Sequence, residues 1–378
     1  MSRAANISNY EELAASVTAK ETPLNIVSPE IVWPAGGIIT INYNSTVSSA
    51  SSTDQVVFNG QNQSVLFQLT SGMIHFTGSF LFIDATSEGT RLSGGAIVGS
   101  GARVQFNGNT IFRGNRARVS GGAIEHSNPI TFNGNAIFTN NSAQTDGGAI
   151  MASIGDVTLN GSATFRGNNA GEKGGAIYCS RATININARD PSTPVLFSDN
   201  TPQGIYLAGL NARLNLNAAE GTIIDIQDGV AGDNVSGLIT KTGLGIWKQG
   251  GNSSAYLGKT NITAGVFVLQ PAAIYGTPDS GAVTLGPDGA LIYTLGPEDF
   301  PLLQAASITL NGEVTVAGFP GIPNPIGAAV VARATTPIIY HGETLKDGEH
   351  IAEGTIPFYR WQLIAKGSTE LILLINPE

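Results

Sequence analysis

One four-residue phrase, Gly-Gly-Ala-Ile, constrains the fold of this chain more than any other feature of its sequence. It occurs at residues 94–97, 121–124, 147–150 and 174–177, in steps of 27, 26 and 27 residues. A second phrase, Phe-x-x-Asn, occurs at residues 106–109, 112–115, 132–135, 138–141, 165–168 and 197–200. Self-similarity at a fixed period of about 20–50 residues is the signature of a repeat architecture such as a solenoid.

The repeat itself predicts strands. A period near 27 is shorter than that of helical repeats, which need about 33 residues or more. Paired glycines, Asn-Gly dipeptides and β-branched residues also disfavour helices. The copy that begins at Gly94 contains three short apolar runs, Ala-Ile-Val, Arg-Val-Gln-Phe and Thr-Ile-Phe. We therefore predict an all-β chain, a single-stranded parallel β-helix (β-solenoid) with one coil per repeat and three short strands per coil.

In such a coil, equivalent residues of successive turns lie one strand spacing apart, roughly 4.8 Å. We expect inward stacks at Phe112, Phe138 and Phe165, at Phe106, Phe132 and Leu159, and at Ile97, Ile124, Ile150 and Ile177. Asn115, Asn141 and Asn168 should lie at a corner, where side-chain amides can hydrogen-bond from coil to coil. Core and corner roles explain these motif residues without any ligand.

The ends of the chain differ from its middle. Ser8-x-x-Glu11 resembles a capping box, which predicts a short helix to about Ala19 that covers the exposed first coil. We predict an N-terminal cap at 1–30, the β-helix at 31–235 and an all-β continuation with an end cap at 236–378. Residues 44–53, rich in serine, are predicted to form a loop, and the last clear strands fall at 355–364 and 370–375.

The composition excludes several classes of partner. Charged residues are 12% of the chain and the net charge is −9, which argues against nucleic acid and anionic membranes. Cys179 is the single cysteine, so no intrachain disulfide can form, and we expect a small buried side chain there. The sequence contains no run of about 18 apolar residues, so it predicts no membrane-spanning helix. The N-terminus lacks the basic and apolar regions of a secretion signal.

The sequence contains no recognisable catalytic constellation. Acidic residues form no column in the regular coils, and the four histidines are too scattered for a metal site. We predict no enzyme activity and no cofactor. One alternative is a carbohydrate-active lyase or hydrolase, which would show paired carboxylates in one groove. The other alternative is a purely structural surface or coat spacer.

The alternation of Gly-Gly-Ala-Ile with paired Phe-x-x-Asn over about residues 75–220 resembles the chlamydial polymorphic membrane proteins, an autotransporter adhesin family. Residues 238–269 are also similar to a repeat of autotransporter passengers, through Leu-Ile-Thr-Lys-Thr-Gly-Leu-Gly and Ala-Gly-Val-Phe-Val-Leu. The resemblance implies a virulence-related passenger, secreted or displayed on the outer membrane, that binds a host-cell receptor or glycan and is capable of self-association. We expect the membrane barrel of such a protein to lie outside this chain.

The resemblance also implies that the two motifs take part in adhesion. The residues concerned are Gly94, Gly95, Ala96, Ile97, Phe106, Asn109, Phe112, Asn115, Gly121, Gly122, Ala123, Ile124, Phe132, Asn135, Phe138, Asn141, Gly147, Gly148, Ala149, Ile150, Phe165, Asn168, Gly174, Gly175, Ala176, Ile177, Phe197 and Asn200. Inward-pointing Phe and Ile side chains cannot touch a receptor. We therefore expect the contact surface among outward positions, namely Arg113, Arg116, Arg118, Glu125, His126, Glu172, Lys173 and the serine-rich segment 45–53.

Overall fold

The computed structural model describes residues 5–50, 55–88, 93–296, 300–318, 327–357 and 359–377. It is all-β, with 56% of residues in strands and 3% in helix, and forms about 11 turns of a parallel β-solenoid. The predicted fold class is therefore confirmed. The chain divides into two compact units, Met1–Asp190 with Val195–Tyr206, and Pro191–Pro194 with Leu207–Glu378. The domain boundaries placed at 30/31 and 235/236 stay predictions.

In the first unit, parallel strands of successive coils stack into three ladders. The first ladder contains Ile39–Ile41, Phe67–Leu69, Ile97–Gly99, Ile124–His126, Ile150–Ala152 and Ile177–Ser180. The second contains Ala5–Ile7, Leu24–Ile26, Ser45–Ser49, Gly72–Thr77, Ala102–Phe106, Ile130–Phe132, Val157–Leu159 and Thr183–Ala188. The third contains Glu30–Val32, Gln55–Asn59, Ser79–Ile83, Thr110–Arg113, Ala136–Thr139, Ala163–Arg166 and Val195–Ser198. Three two-residue strands also pair, Arg116–Ala117, Ser142–Ala143 and Asn169–Ala170.

The core of this unit consists of the predicted stacks. Phe112, Phe138, Phe165 and Phe197 follow one another with ring centroids 4.9, 4.7 and 4.6 Å apart and nearly parallel planes. Phe106 stacks on Phe132 at 4.8 Å, and Leu159 continues that register. Ile97, Ile124, Ile150 and Ile177 are likewise in register. All of these side chains are buried, so their predicted inward orientation is confirmed.

A short helix, Tyr10–Thr18, packs near the first coils through the buried residues Leu13 and Val17. Its N-cap is Asn9, whose Oδ1 accepts a hydrogen bond from the Glu12 N–H at 2.9 Å. Glu12 in turn accepts one from the Ser8 N–H at 2.7 Å. The predicted capping box of Ser8 and Glu11 is therefore wrong by one residue. Asn caps a helix as well as Ser does, and here Asn9 has the extended backbone that an N-cap needs.

The loop predicted at 44–53 is wrong over Ser45–Ser49, which is a strand of the second ladder. It pairs with Leu24–Ile26 on one side and with Gly72–Thr77 on the other. Serine-rich composition favours a loop, but two flanking strands supply partners for its backbone groups and Val47 enters the core. Residues 51–53 of the predicted loop lie outside the described residues.

The second unit continues with parallel strands. One ladder contains Arg213–Ala218, Leu238–Thr242, Lys259–Leu269, Ala282–Leu295, Ser307–Leu310 and Ile339–Tyr340. Another contains Ile223–Ile226, Ile246–Gln249, the later residues of Lys259–Leu269 and of Ala282–Leu295, and Glu313–Gly318. A third contains Asn252–Ser253, Ile274–Tyr275, Leu302–Ala305 and Gly327–Ala334. Two further strands are Ile205–Ala208 and Val230–Gly232.

The chain ends in antiparallel strands. Glu370–Pro377 pairs with Gly327–Ala334 and with Tyr359–Lys366, which pairs with His350–Ile356. Glu343–Thr344 forms a hairpin with Ile339–Tyr340. The single strand predicted at 355–364 is therefore wrong, because it belongs to two paired strands. Pro357 lies between them, and proline cannot donate a hydrogen bond within a strand.

In the autotransporter-like segment, the buried side chain of Lys241 binds backbone carbonyls of two neighbouring coils. The Lys241 Nζ donates to the backbone carbonyls of Thr242 at 2.9 Å, Gly243 at 2.7 Å and Ala264 at 3.2 Å. Burial lowers the pKa of Lys241 to about 8. A Cβ at Gly265 would lie 2.8 Å from this Nζ. The lysine and the glycines of this motif therefore form one tight turn between neighbouring coils.

Phe138 provides a direct test of the stacked core, because it lies between Phe112 and Phe165. Phe138→Ala is expected to lower the free energy of unfolding by about 3–5 kcal/mol, the usual cost of truncating a buried aromatic residue. Thr139→Ala, which changes the next, half-buried residue, should cost less than about 1 kcal/mol. Urea unfolding measures both variants, and an unchanged midpoint for Phe138→Ala would contradict the inward assignment.

Candidate functional site

The Gly-Gly-Ala-Ile residues are buried in all four copies. The first glycine of each pair has a positive φ of 65–79°. A Cβ on the second glycine at Gly95, Gly122 or Gly148 would lie 2.0–2.1 Å from a carbonyl oxygen of the next coil. The double glycine therefore turns the chain and lets adjacent coils approach each other.

The Phe-x-x-Asn sites are of two kinds. In the second motif of each coil, Asn115, Asn141, Asn168 and Asn200 are buried and form a continuous ladder. Each amide Nδ2 of the first three donates to the Oδ1 of the next Asn at 2.9 Å. The Nδ2 of Asn141 also donates to the carbonyl of Phe112, and its Oδ1 accepts a bond from the Asn115 N–H. The ladder thus satisfies both the amides and the backbone at a buried corner.

In the first motif of each coil the asparagine is exposed instead, at Asn109 and Asn135. The Oδ1 of Asn109 accepts from the Asn135 N–H, and that of Asn135 from the Ser162 N–H, both at 3.2 Å. The Phe residue of the same motif stays in the core. Identical tetrapeptides therefore fill two different corners, of which only one exposes its amide to solvent.

The predicted contact residues are outward in most cases. Arg113, Arg116 and Arg118 are exposed, and among the described residues no carboxylate forms an ion pair with them. Glu172 is exposed, while the Lys173 ammonium lies 4.8 Å from the centre of the Tyr206 ring. These residues keep their predicted role as an accessible surface.

The prediction that His126 points outward is wrong. Its side chain is on the same side of the strand as the inward Ile124 and is fully buried. The Nδ1 atom lies 2.8 Å from the Asn128 carbonyl oxygen and accepts from the Asn128 N–H at 3.1 Å. A Cβ at Gly99, in the preceding coil, would lie 2.4 Å from the imidazole ring, so the ring fits only because residue 99 has no side chain. Burial lowers the pKa of His126 and, by desolvation alone, raises that of its half-buried neighbour Glu125.

A groove of about 510 Å³ lies in the second unit. The strands Glu313–Gly318 and His350–Ile356 and the hairpin at Tyr340 form its walls. Two carboxylates, from Glu313 and Glu353, line it, and both side chains are exposed. An adjoining cavity of about 350 Å³ shares Glu353 and Trp361 with the groove. Paired carboxylates in one groove are the feature expected of the alternative enzyme reading.

Rigid local geometry positions the aromatic residues of this groove. His341 and Gly342 both have positive φ, at 48° and 84°, in the two-residue turn of the hairpin. The rings of Tyr340 and His341 lie 4.2 Å apart. Trp361 pairs with Gly354 on the neighbouring strand, where a Cβ would lie 2.7 Å from the indole. Burial raises the pKa of the Tyr340 phenol.

Sequence reasoning missed the groove. Its residues lie between Pro287 and Trp361, and no repeat relates them to one another. Among the described residues, no group of three His, Cys, Asp or Glu side chains could hold a metal ion. The sequence around it, Ile-Ile-Tyr-His-Gly-Glu-Thr, contains none of the dipeptides that ordinarily indicate a two-residue hairpin turn.

Cys179 is buried, as predicted, and burial raises its thiol pKa to about 12. Within the part of the chain that the structure describes, no helix is long and apolar enough to cross a membrane.

A family of known proteins has a repeat that matches two segments of this chain. Residues 135–153 and 162–180 match the Chlamydia polymorphic membrane protein repeat. The chain carries this family's repeat. Each matched segment contains one Phe-x-x-Asn motif of the buried corner, at 138–141 or 165–168, and one Gly-Gly-Ala-Ile turn of the first unit. No curated protein matches the chain. The repeat and the β-helix fit an autotransporter passenger, and the family suggests a membrane-associated or surface protein and is not a known enzyme family.

The two kinds of Phe-x-x-Asn corner predict different mutational costs. Asn141→Ala removes the acceptor of the Asn115 amide and leaves buried polar groups unpaired, each worth about 1–3 kcal/mol. We expect it to lower the free energy of unfolding by at least about 2 kcal/mol. Asn135→Ala, at the exposed corner, should cost less than about 1 kcal/mol. Chemical denaturation compares them, and equal costs would contradict the distinction between the corners.

Proposed function

We propose that this chain is the passenger of a bacterial surface protein and acts as an adhesin for host cells. The observation that carries the proposal is the polymorphic membrane protein repeat on a β-solenoid. A stack of coils is stable without a ligand and presents a long outer surface of short strands and turns. The partner would be a receptor or glycan of the host cell, and the protein would be displayed on the outer membrane or secreted.

We assign the contact to an arginine corner, defined as Arg113, Arg116 and Arg118. These side chains are exposed on one coil of a chain whose net charge is −9. On the same strand as Arg113, Ile111 faces outward and is half-buried, and Ile137 continues this row in the next coil. Arginine is enriched among the residues that contribute most of the binding energy at protein interfaces. The motif residues support this surface from within the coil.

Cell adhesion tests the assignment. Arg113→Thr, Arg116→Ser and Arg118→Gln give this corner the residues of the next coil, since Thr139 and Ser142 are in register with the first two. Beads coated with the parent chain should adhere to epithelial cells, and the triple variant should lose most of that adhesion.

The matched control is Arg103→Ser, Arg181→Ser and Arg189→Ser, which removes three exposed positive charges elsewhere. It should adhere as the parent does, and circular dichroism would verify the fold of both variants. Equal loss in the two variants would mean that only net charge matters. A parent chain that does not adhere would contradict the adhesin proposal and favour a structural spacer.

A second candidate function, a carbohydrate-active enzyme, is favoured by Glu313 and Glu353 in one groove. Glycosidases use a pair of carboxylates on either side of the scissile bond. We expect no turnover, because both side chains are exposed, whereas closed active sites exclude water from the reacting groups. Incubation with neutral and acidic polysaccharides should release no new reducing or unsaturated ends. Release that disappears in Glu313→Gln would establish the enzyme instead.

A further inference from the structure

We propose that the groove of the second unit is a binding site for a neutral oligosaccharide. The groove of about 510 Å³ and an adjoining cavity of about 350 Å³ share Glu353 and Trp361. Volumes in this range are typical of small-ligand sites. The site goes beyond the adhesion proposal, because it is distant in sequence from the arginine corner and is tested without cells.

The side chains of the groove have the chemistry of sugar recognition. Tyr340, which is half-buried, and His341, which is exposed, provide ring faces or edges against which a pyranose can pack. Trp361 is buried against Gly354 and supports the groove from within. Asn311 and Thr315 provide an amide and a hydroxyl, each able to donate and accept. Glu313 and Glu353 accept charge-assisted hydrogen bonds, for which sugar hydroxyls are suitable donors. A few placed polar groups among aromatic residues are typical of ligand sites.

The charges define the class of glycan. Within the lining of the groove, the ionisable groups are Glu313, Glu353, His341 and Tyr340, and the adjoining cavity adds Arg360. Two carboxylates disfavour sialylated or sulfated sugars, which would place like charges together. A neutral glycan meets no such repulsion, which is why we assign that class.

The spacing of the walls argues against an added peptide strand. Glu313–Gly318 and His350–Ile356 approach each other with Cα atoms within 8 Å. An inserted strand would need about 4.8 Å on each side, or about 9.6 Å in all. Near the far end, a Cβ at Gly318 would lie 3.0 Å from the Ile356 side chain, so the two strands touch there. The groove therefore offers side chains to a ligand, with no vacant strand position.

The site is also held rigid before binding. Each wall is a strand or a hairpin, and His341 has a left-handed backbone that few non-glycine residues adopt. Backbone conformations of this kind often occur at functional sites, because the surrounding structure must hold them in place. A preformed site loses less conformational entropy when it binds a flexible sugar chain.

Titration calorimetry of the whole chain with oligosaccharides tests the proposal. The neutral probes are chitotetraose, maltotetraose and lacto-N-neotetraose, and the anionic probes are sialyllactose and a heparin tetrasaccharide. We expect at least one neutral probe to bind with a micromolar to millimolar Kd. Glu313→Gln and Glu353→Gln should each weaken it by about tenfold, which is about 1.4 kcal/mol. His341→Asn, which suits the turn better, should weaken binding while the fold is retained.

Glu343→Gln is the matched control, because Glu343 is exposed on the same hairpin and does not line the groove. It should bind as the parent does. The proposal is overturned if no neutral probe binds at about 5 mM, well above the Kd of ordinary lectin-type sites. It is also overturned if the anionic probes or a Lys-Gly-Lys-Gly peptide bind more tightly, or if Glu343→Gln weakens binding as much as the groove variants do. Bead adhesion of the same variants is measured separately. If no oligosaccharide binds, the proposal that the arginine corner contacts host cells is not affected.

Discussion

The asparagine ladder is the interaction on which the regular coils depend. A coil of short strands must turn at a buried corner, where backbone groups have no strand partner and no water. Asn115, Asn141, Asn168 and Asn200 supply those partners and bond to one another from coil to coil. The aromatic stack beside the ladder buries the apolar surface, but it could not form if the corner left polar groups unpaired. Each amide lies one coil from the next, although 26, 27 or 32 residues separate them along the chain.

Much of the fold could be predicted because residues that are one repeat apart in the sequence contact each other in adjacent coils. Phe112, Phe138 and Phe165 are 26 and 27 residues apart along the chain, and this near-constant spacing was enough to predict that they stack. The errors came from places where local composition and tertiary partners disagree. Ser45–Ser49 looks like a loop but pairs with a strand on each side. His126 looks like a surface residue, and only Gly99 in another coil explains the space that buries it.

The two candidate sites differ in how far the sequence could predict them. The arginine corner belongs to one repeat, so its outward position follows from the inward position of Phe112. The groove joins residues from the irregular second unit, where no period relates Glu313 to Glu353. A repeat therefore identifies the positions that build the coil, and candidate sites lie among the remaining positions.

The central claim, that the motifs build the coil and do not contact a receptor, can be tested with residues that the chain already uses. Residues 159–162, Leu-Asn-Gly-Ser, occupy the register of the motifs at 106–109 and 132–135. A variant with Phe106→Leu, Asn109→Ser, Phe132→Leu and Asn135→Ser therefore removes two motifs while keeping a native alternative in each position. We predict that beads carrying the folded variant adhere to cells within about twofold of the parent, because Leu159 and Ser162 already fill these positions in the following coil. Loss of adhesion by a variant with an unchanged fold would contradict the account.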